Sequence, residues 1–189
     1  MAILMPHRLF TVHDYHRMAK AGILTEDDRV ELIEGEIVEM APIGSRHGRV
    51  VDRLTRMFAE VGRVHGFITR VQGAVRLDDR SEPQPDLALL RIETTYDDAS
   101  QPAPGDIFLL VEVADSSLLA DQRVKVPLYG RHGIPETWIV NLTSGAIEVY
   151  RNPSPSGYQA QQVVHRGGQL SPQAFPTLTI PADDILGLA

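Results

Sequence analysis

The chain reads as a mixed α/β domain, a central β-sheet flanked by helices with a helix and a β-hairpin ahead of it. Three observations predict that class. Residues 45–66 carry apolar residues at helical spacing over five to six turns. Two stretches, about 85–91 and about 107–114, are near-continuous apolar runs, as in strands buried on both faces. The order of the periodic segments is helix, hairpin, helix, three strands, helix and further strands.

Each element has its own signal. In "TVHDYHRMAKAG", Thr11 followed three residues later by Asp14 fits a capping box, and Gly22 is a stop for a short helix. "RVELIEGEIVEM" reads as two short strands joined by the two-residue turn Glu34-Gly35, a register that sets Glu31 opposite Val38. In "SRHGRVVDRLTRMFAEVGRVHG", Val50, Val51, Leu54, Met57, Phe58 and Val61 form one stripe; Arg46, Arg49, Arg53, Arg56 and Arg63 form another. His47 falls within the apolar stripe. Strands are expected at about 67–77, 85–91 and 107–114, with the proline-rich "DDASQPAPGD" a surface loop before the last of them. A helix over 117–132 starts at Ser116 or Ser117, and Pro127 kinks it or delays its start. "ETWIVNL" and "AIEVYRN" make a hairpin around "TSG", and weak strands rich in Gly and Pro follow. The expected organisation is a single domain over 1–189: helix and hairpin 8–41 packed on a core 45–150, then C-terminal strands 151–189.

Composition narrows the classes. The apolar share of 43% and the charged share of 23% are those of globular proteins, and no segment approaches the ~20 apolar residues of a membrane span. "MAILMPHRLF" lacks the pattern of a signal peptide, so a cytoplasmic protein is expected. The absence of cysteine removes disulfides, thiolate nucleophiles and cysteine-based zinc sites. A formal charge of −7 argues against a protein that coats nucleic acid through broad electrostatics, but not against an enzyme that cuts it, because acidic metal ligands make a bare site negative. Arginine outnumbers lysine sixteen to two, which singles out Lys20 and Lys125.

The chemistry begins at "FLLVEVADSS", where Glu112 interrupts a run suited to a dry sheet interior. An unpaired buried carboxylate costs several kcal/mol or shifts its pKa until it is neutral, so it needs a compensating partner. Asp86 follows Pro85 at the head of the neighbouring strand, and two carboxylates on adjacent strands can converge on one divalent cation. Hard oxygen ligands suit Mg2+ or Mn2+, which polarise a phosphoryl oxygen and activate a water, while a nearby ammonium stabilises the developing charge.

"PDLALL", "LLVEVADSS", "DQRVKVPLY" and "GIPETWIVNL", with "VELIEGEIVEM", "SRHGRVVDRL" and "FPTLTIPADDILG", resemble the Uma-type restriction endonuclease family of the PD-(D/E)XK nuclease superfamily, over nearly the whole chain. The resemblance implies a restriction-endonuclease-like core and a Mg2+-dependent phosphodiesterase. It makes Asp86 the first acid, Glu112 the second and the backbone carbonyl of Val113 a further metal ligand. The superfamily's lysine stands two residues after the second acid, where this chain has Ala114. The Uma-type pattern instead carries it on the following helix, here Lys125, with Asp121 one turn before. Glu31 and His47 match further family positions that line the cleft.

The expected function is therefore metal-dependent hydrolysis of phosphodiester bonds, with DNA as substrate and a symmetric homodimer presenting two sites to a duplex. Two other readings use the same residues: a nuclease fold retained only to bind nucleic acid or protein, and a hydrolase of small phosphate esters. Taken one at a time, His47 is also a core histidine, Asp121 with Lys125 a surface helix pair, and the arginine stripe a solvated face. Lys125→Ala is expected to leave folding nearly intact.

Overall fold

The structure, a computed structural model, describes residues 7–25, 27–92 and 101–187. Helix α1 (Val12–Lys20) opens on its capping box: Thr11 Oγ1 accepts from the Asp14 N–H at 3.1 Å, and Asp14 Oδ2 accepts from the Thr11 N–H at 3.2 Å. Strands β1 (Val30–Ile33) and β2 (Glu36–Glu39) form the hairpin with Glu31 opposite Val38. Glu34 and Gly35, at φ 49° and 86°, take the left-handed region a two-residue turn of this kind requires.

Helix α2 (Ser45–His65) leads into the main sheet, formed by β3 (Phe67–Val71), β4 (Leu87–Arg91), β5 (Ile107–Ala114), β6 (Glu136–Asn141), β7 (Ala146–Ser154) and β8 (Gly157–His165). The six strands lie in sequence order, and every neighbouring pair is antiparallel except β5–β6. That parallel pair needs a long crossover. It is supplied by α3 (Leu118–Ala120), a π turn (Asp121–Lys125) and α4 (Val126–Arg131).

Helices cover both faces of the sheet. On one, Val50, Leu54 and Phe58 of α2 pack with Leu87, Leu109, Val111 and Trp138, joined by α5 (Ala182–Leu186) through Ile185. On the other, Leu128 and Tyr129 of α4 pack with Ala88, Leu90 and Leu110, and the hairpin joins through Ile33. Strand alternation along β5 thus sends Val111 and Val113 toward α2 and Leu110 and Glu112 toward α4.

Several boundaries differ from expectation for local reasons. The strand expected over 67–77 ends at Val71; beyond it the Val75 and Leu77 N–H groups donate to the Pro83 and Ser81 carbonyls at 2.9 Å, so this segment folds back on 81–83 instead of extending the sheet. The helix over 117–132 exists in three pieces. Ser117 stands at the N-cap position as expected, but its side chain makes no capping hydrogen bond, its hydroxyl donating to Asp121 Oδ2 at 2.7 Å. Pro127 stands at the start of α4, where a missing N–H is least costly, and the wider π turn precedes it. The C-terminal region is not uniformly weak: β8 runs nine residues, only β9 (Gln169–Leu170) and β10 (Ile180–Pro181) are minimal, and α5 was not expected. Residues 1–6, and 97–100 of the proline-rich loop, lie outside the described residues; Pro104–Asp106 form a 3-10 turn. No helix among the described residues is long and apolar enough to cross a membrane.

Candidate active site

Glu112 is 3% exposed, inside a strand with no fully accessible face. Asp86 lies one residue before β4. Leu87 pairs with Val111, so Asp86 and Glu112 follow one another's positions at the open end of the β4–β5 ladder. Asp86 Oδ2 accepts the Val113 N–H at 2.8 Å and lies 3.0 Å from His47 Nε2. A strand residue's N–H and carbonyl leave on the same edge, so the Val113 carbonyl also faces the Asp86 side. His47 comes from the first turn of α2. Its hydrogen bond to Asp86 raises its pKa against the opposing effect of burial, and its buried Nδ1 has no partner among the described residues.

Lys125 closes the site from the opposite layer. Its Nζ lies 3.1 Å from Glu31 Oε2 and 3.4 Å from Glu112 Oε1, with all three side chains nearly buried. The π turn carries it there, and Gln122 ties that turn to the sheet by donating to both oxygens of the buried Glu148 at 3.0 and 2.8 Å. Glu31 Oε2 also accepts the Gln84 N–H at 3.0 Å, and Tyr129 Oη donates to Glu112 Oε1 at 2.6 Å. Burial pushes Glu112 well above the ordinary carboxylate range while Lys125 draws it back. Burial alone would lower Lys125, but Glu112, Glu31 and Asp121 outweigh it, so the ammonium stays protonated. Burial likewise raises Asp121 against the Ser117 hydrogen bond and Lys125.

Glu31, His47, Asp86, Glu112, Val113, Asp121 and Lys125, every residue that the family resemblance assigns to the site, line one open cleft of about 560 Å³, whereas Lys20 lies away from it on α1. The sequence reading passed over Tyr129, although its place four residues after Lys125 sets it on the same side of a helix. It also passed over Gln84, whose contact is made by its backbone and leaves no side-chain signal.

The donor set can be tested against a cation. Asp86 Oδ1 and Glu112 Oε2 have no hydrogen bond among the described residues, whereas their sister oxygens are held. Four carboxylates, Glu31, Asp86, Glu112 and Asp121, surround Lys125 and His47, a surplus of negative charge in a buried setting. Among the described residues no three His, Asp or Glu side chains are gathered as a ready-made metal cage. The residues therefore fit a hard cation that keeps much of its water, and not one needing a closed set of protein ligands.

The architecture is thus a mixed sheet with helices on both faces and an acidic, lysine-bearing cleft at the ends of two adjacent strands. A crystal structure described as a putative nuclease belonging to DUF820 from Anabaena variabilis matches this fold with a TM-score of 0.74 at 13% identity, over 94% of this chain and 97% of that one. The family model described as "Uma2: Putative restriction endonuclease" matches residues 12–183, and the chain belongs to that family. No curated protein matches it.

Proposed function

We propose that the protein is a metal-dependent phosphodiesterase that hydrolyses DNA as an endonuclease, working in the cytoplasm as a homodimer. One observation carries the reading. Position 114, two residues after Glu112, holds alanine, yet a lysine ammonium arrives beside Glu112 from the crossover helix and lines the same cleft as Asp86. Asp86 and Glu112, with the Val113 carbonyl, would hold Mg2+ or Mn2+, which when bound supplies Lewis-acid polarisation of a phosphate and a more acidic water.

The chain's own residues do the rest. Lys125, kept charged by Glu31 and Glu112, offers a preorganised cation to the negative charge that grows on a phosphate oxygen as the diester is attacked. Tyr129 and Lys125 fix one oxygen of Glu112 and turn the other to the cleft. His47 and the Val113 N–H do the same for Asp86, and Gln84 steadies Glu31.

The test is hydrolysis of bis(p-nitrophenyl) phosphate and of supercoiled plasmid, with Mg2+ or Mn2+, by wild type and Asp86→Asn. Asparagine keeps an acceptor for Val113 but loses the charge. Hydrolysis of both substrates by wild type and a fall of roughly two orders of magnitude or more in Asp86→Asn are expected. Equal rates in the two proteins would remove Asp86 from the reaction. Hydrolysis of the small diester alone would favour a small phosphate ester as substrate, and inertness toward both would favour a binding module.

A further inference from the structure

We infer that the exposed arginine ridge of α2 is the surface that docks the phosphate backbone of duplex DNA and delivers it to the cleft. The inference rests on the DNA reading above and addresses a difficulty within it. Six carboxylates line the cleft against two cations, Arg29 and Lys125, so even a bound divalent ion leaves it negative. A polyanion cannot be attracted by such a cleft; the attraction has to come from its surroundings.

The ridge lies beside it. Gly44 and His47 line the cleft, and α2 begins at Ser45, so Arg46 and Arg49 stand at its mouth. Arg56 and Arg63 continue along the same stripe, and at 1.5 Å per residue Arg46 and Arg63 are about 26 Å apart along the axis. At 3.4 Å per step, that length spans roughly seven or eight base pairs. All four arginines are exposed, and none has a hydrogen bond or ion pair among the described residues. The acids within the stripe, Asp52 and Glu60, form no ion pair with them. Arg53 is the exception: its guanidinium donates to the Ile185 and Leu186 carbonyls at 3.0 and 2.9 Å. Burial lowers its pKa most, and the charges of Arg49, Arg166 and Arg56 lower it further, so these guanidiniums lie within electrostatic reach of one another. Unpaired arginines spaced along one helix suit a rod-like polyanion better than a compact anion.

The experiment measures binding of a fluorescein-labelled 20-base-pair duplex of arbitrary sequence to the full chain in EDTA, across a series of salt concentrations. The variant combines Arg46→Gln, Arg49→Gln, Arg56→Gln and Arg63→Gln; a control combines Arg17→Gln with Lys20→Gln on α1. The ridge variant should keep the wild-type melting temperature and bind on the order of a hundredfold more weakly at 0.15 M salt. The slope of log K against log salt should fall by roughly three to four, because each lost phosphate contact removes about 0.9. The control should bind like wild type. An unchanged slope in the ridge variant, or an equal loss in the control, would overturn the assignment. So would a wild type that does not bind the duplex, or one that binds anionic phospholipid vesicles through the same four arginines. No hydrolysis occurs under these conditions. A protein that binds through the ridge yet cleaves no diester retains this inference and loses the endonuclease, whereas one that hydrolyses the small diester without binding duplex does the reverse.

Discussion

Lys125→Ala tests the centre of the site and, with the structure in hand, should do more than slow a reaction. As a side chain on a helix exterior, Lys125 would be dispensable for folding, which is what its sequence position suggests. Its side chain is instead 11% exposed and holds Glu31 and Glu112, 6% and 4% exposed, at 3.1 and 3.4 Å. Removing one partner of a buried ion pair costs about 3–5 kcal/mol. Here Glu31 keeps the Gln84 N–H, Glu112 keeps the Tyr129 hydroxyl, and the open cleft admits water, so the cost drops to the bottom of that scale or just under it, about 2–3 kcal/mol. For a chain of this size that corresponds to a melting temperature lower by about 4–12 °C. The cost should depend on pH. Burial raises Glu112 above its ordinary value of 4.5, so the folded metal-free protein holds a proton that the unfolded chain has already released. Stability conferred by that proton is complete below about 4.5 and is lost as pH rises through the raised value. Lys125 draws the raised value down, so without it the loss extends to higher pH and the gap from wild type widens across that window. Urea titrations in EDTA at pH 4 and pH 8 measure the gap, and diester hydrolysis with Mg2+ should fall roughly two to three orders of magnitude. An unchanged urea midpoint at pH 8 together with full hydrolysis would refute both roles.

Tyr129→Phe removes the 2.6 Å hydrogen bond to Glu112 without changing the packing shape, and should cost about 1–2 kcal/mol in urea. It also removes a donor that favours the ionised carboxylate, so Mn2+ binding measured by calorimetry at pH 7 should weaken several-fold and recover at higher pH; an isotherm like that of wild type would separate Tyr129 from the site. Gly130→Ala tests the packing of α4 on the β7–β8 turn: a Cβ there would lie 2.6 Å from the Gly157 carbonyl carbon and 2.8 Å from the Tyr158 nitrogen, both backbone. It should destabilise by about 2–3 kcal/mol, and a melting temperature equal to wild type would contradict the packing.

The legible part of the molecule was the part whose physics is local or strongly patterned. Thr11 and Asp14, the Glu34-Gly35 turn and the α2 stripe are decided by neighbours within a few residues. Glu112 stood out because a charge in an apolar run is an energetic anomaly wherever the strand goes. The rest depends on contacts far apart in sequence. Residues 72–77 look strand-like because Val75 and Leu77 are buried, but they are buried beneath the hairpin and not in the sheet. Strand β8 pairs on one side only and exposes much of both faces, so its glutamines hide the alternation that marks a strand. Helix α5 did carry signals, Asp183 and Asp184 in its first turn and Gly187 after it, on a segment too short for periodicity to register. The meeting of Glu31 with Lys125 joins a hairpin to a helix 94 residues later, and only the resemblance to a family hinted at it.

The absence of a lysine at position 114 follows from how the sheet is covered. Residue 114 lies on the same side of β5 as Glu112 and is fully buried against Val126, Ile139 and Tyr150. A lysine there would need its charge to escape from beneath the start of α4, so alanine suits the position and the cation has to come from elsewhere. A continuous α-helix from Leu118 would turn its residues by 100° each; the π turn over Asp121–Lys125 rotates more slowly and shifts the facing of everything after it. The same short segment thereby turns Lys125 toward Glu112, buries Asp121 beneath Ser117 and lets Leu128 and Tyr129 reach the core. Gln122 anchors it to Glu148 on β7, a carboxylate that also accepts from Asn141 and Tyr150 and is therefore fixed in its own right. The cation is held by the sheet through this anchor and by the hairpin through Glu31, two elements with no covalent proximity to the strand that carries Glu112. A site assembled this way does not need a lysine on β5, because the sheet and the hairpin together determine where the ammonium sits.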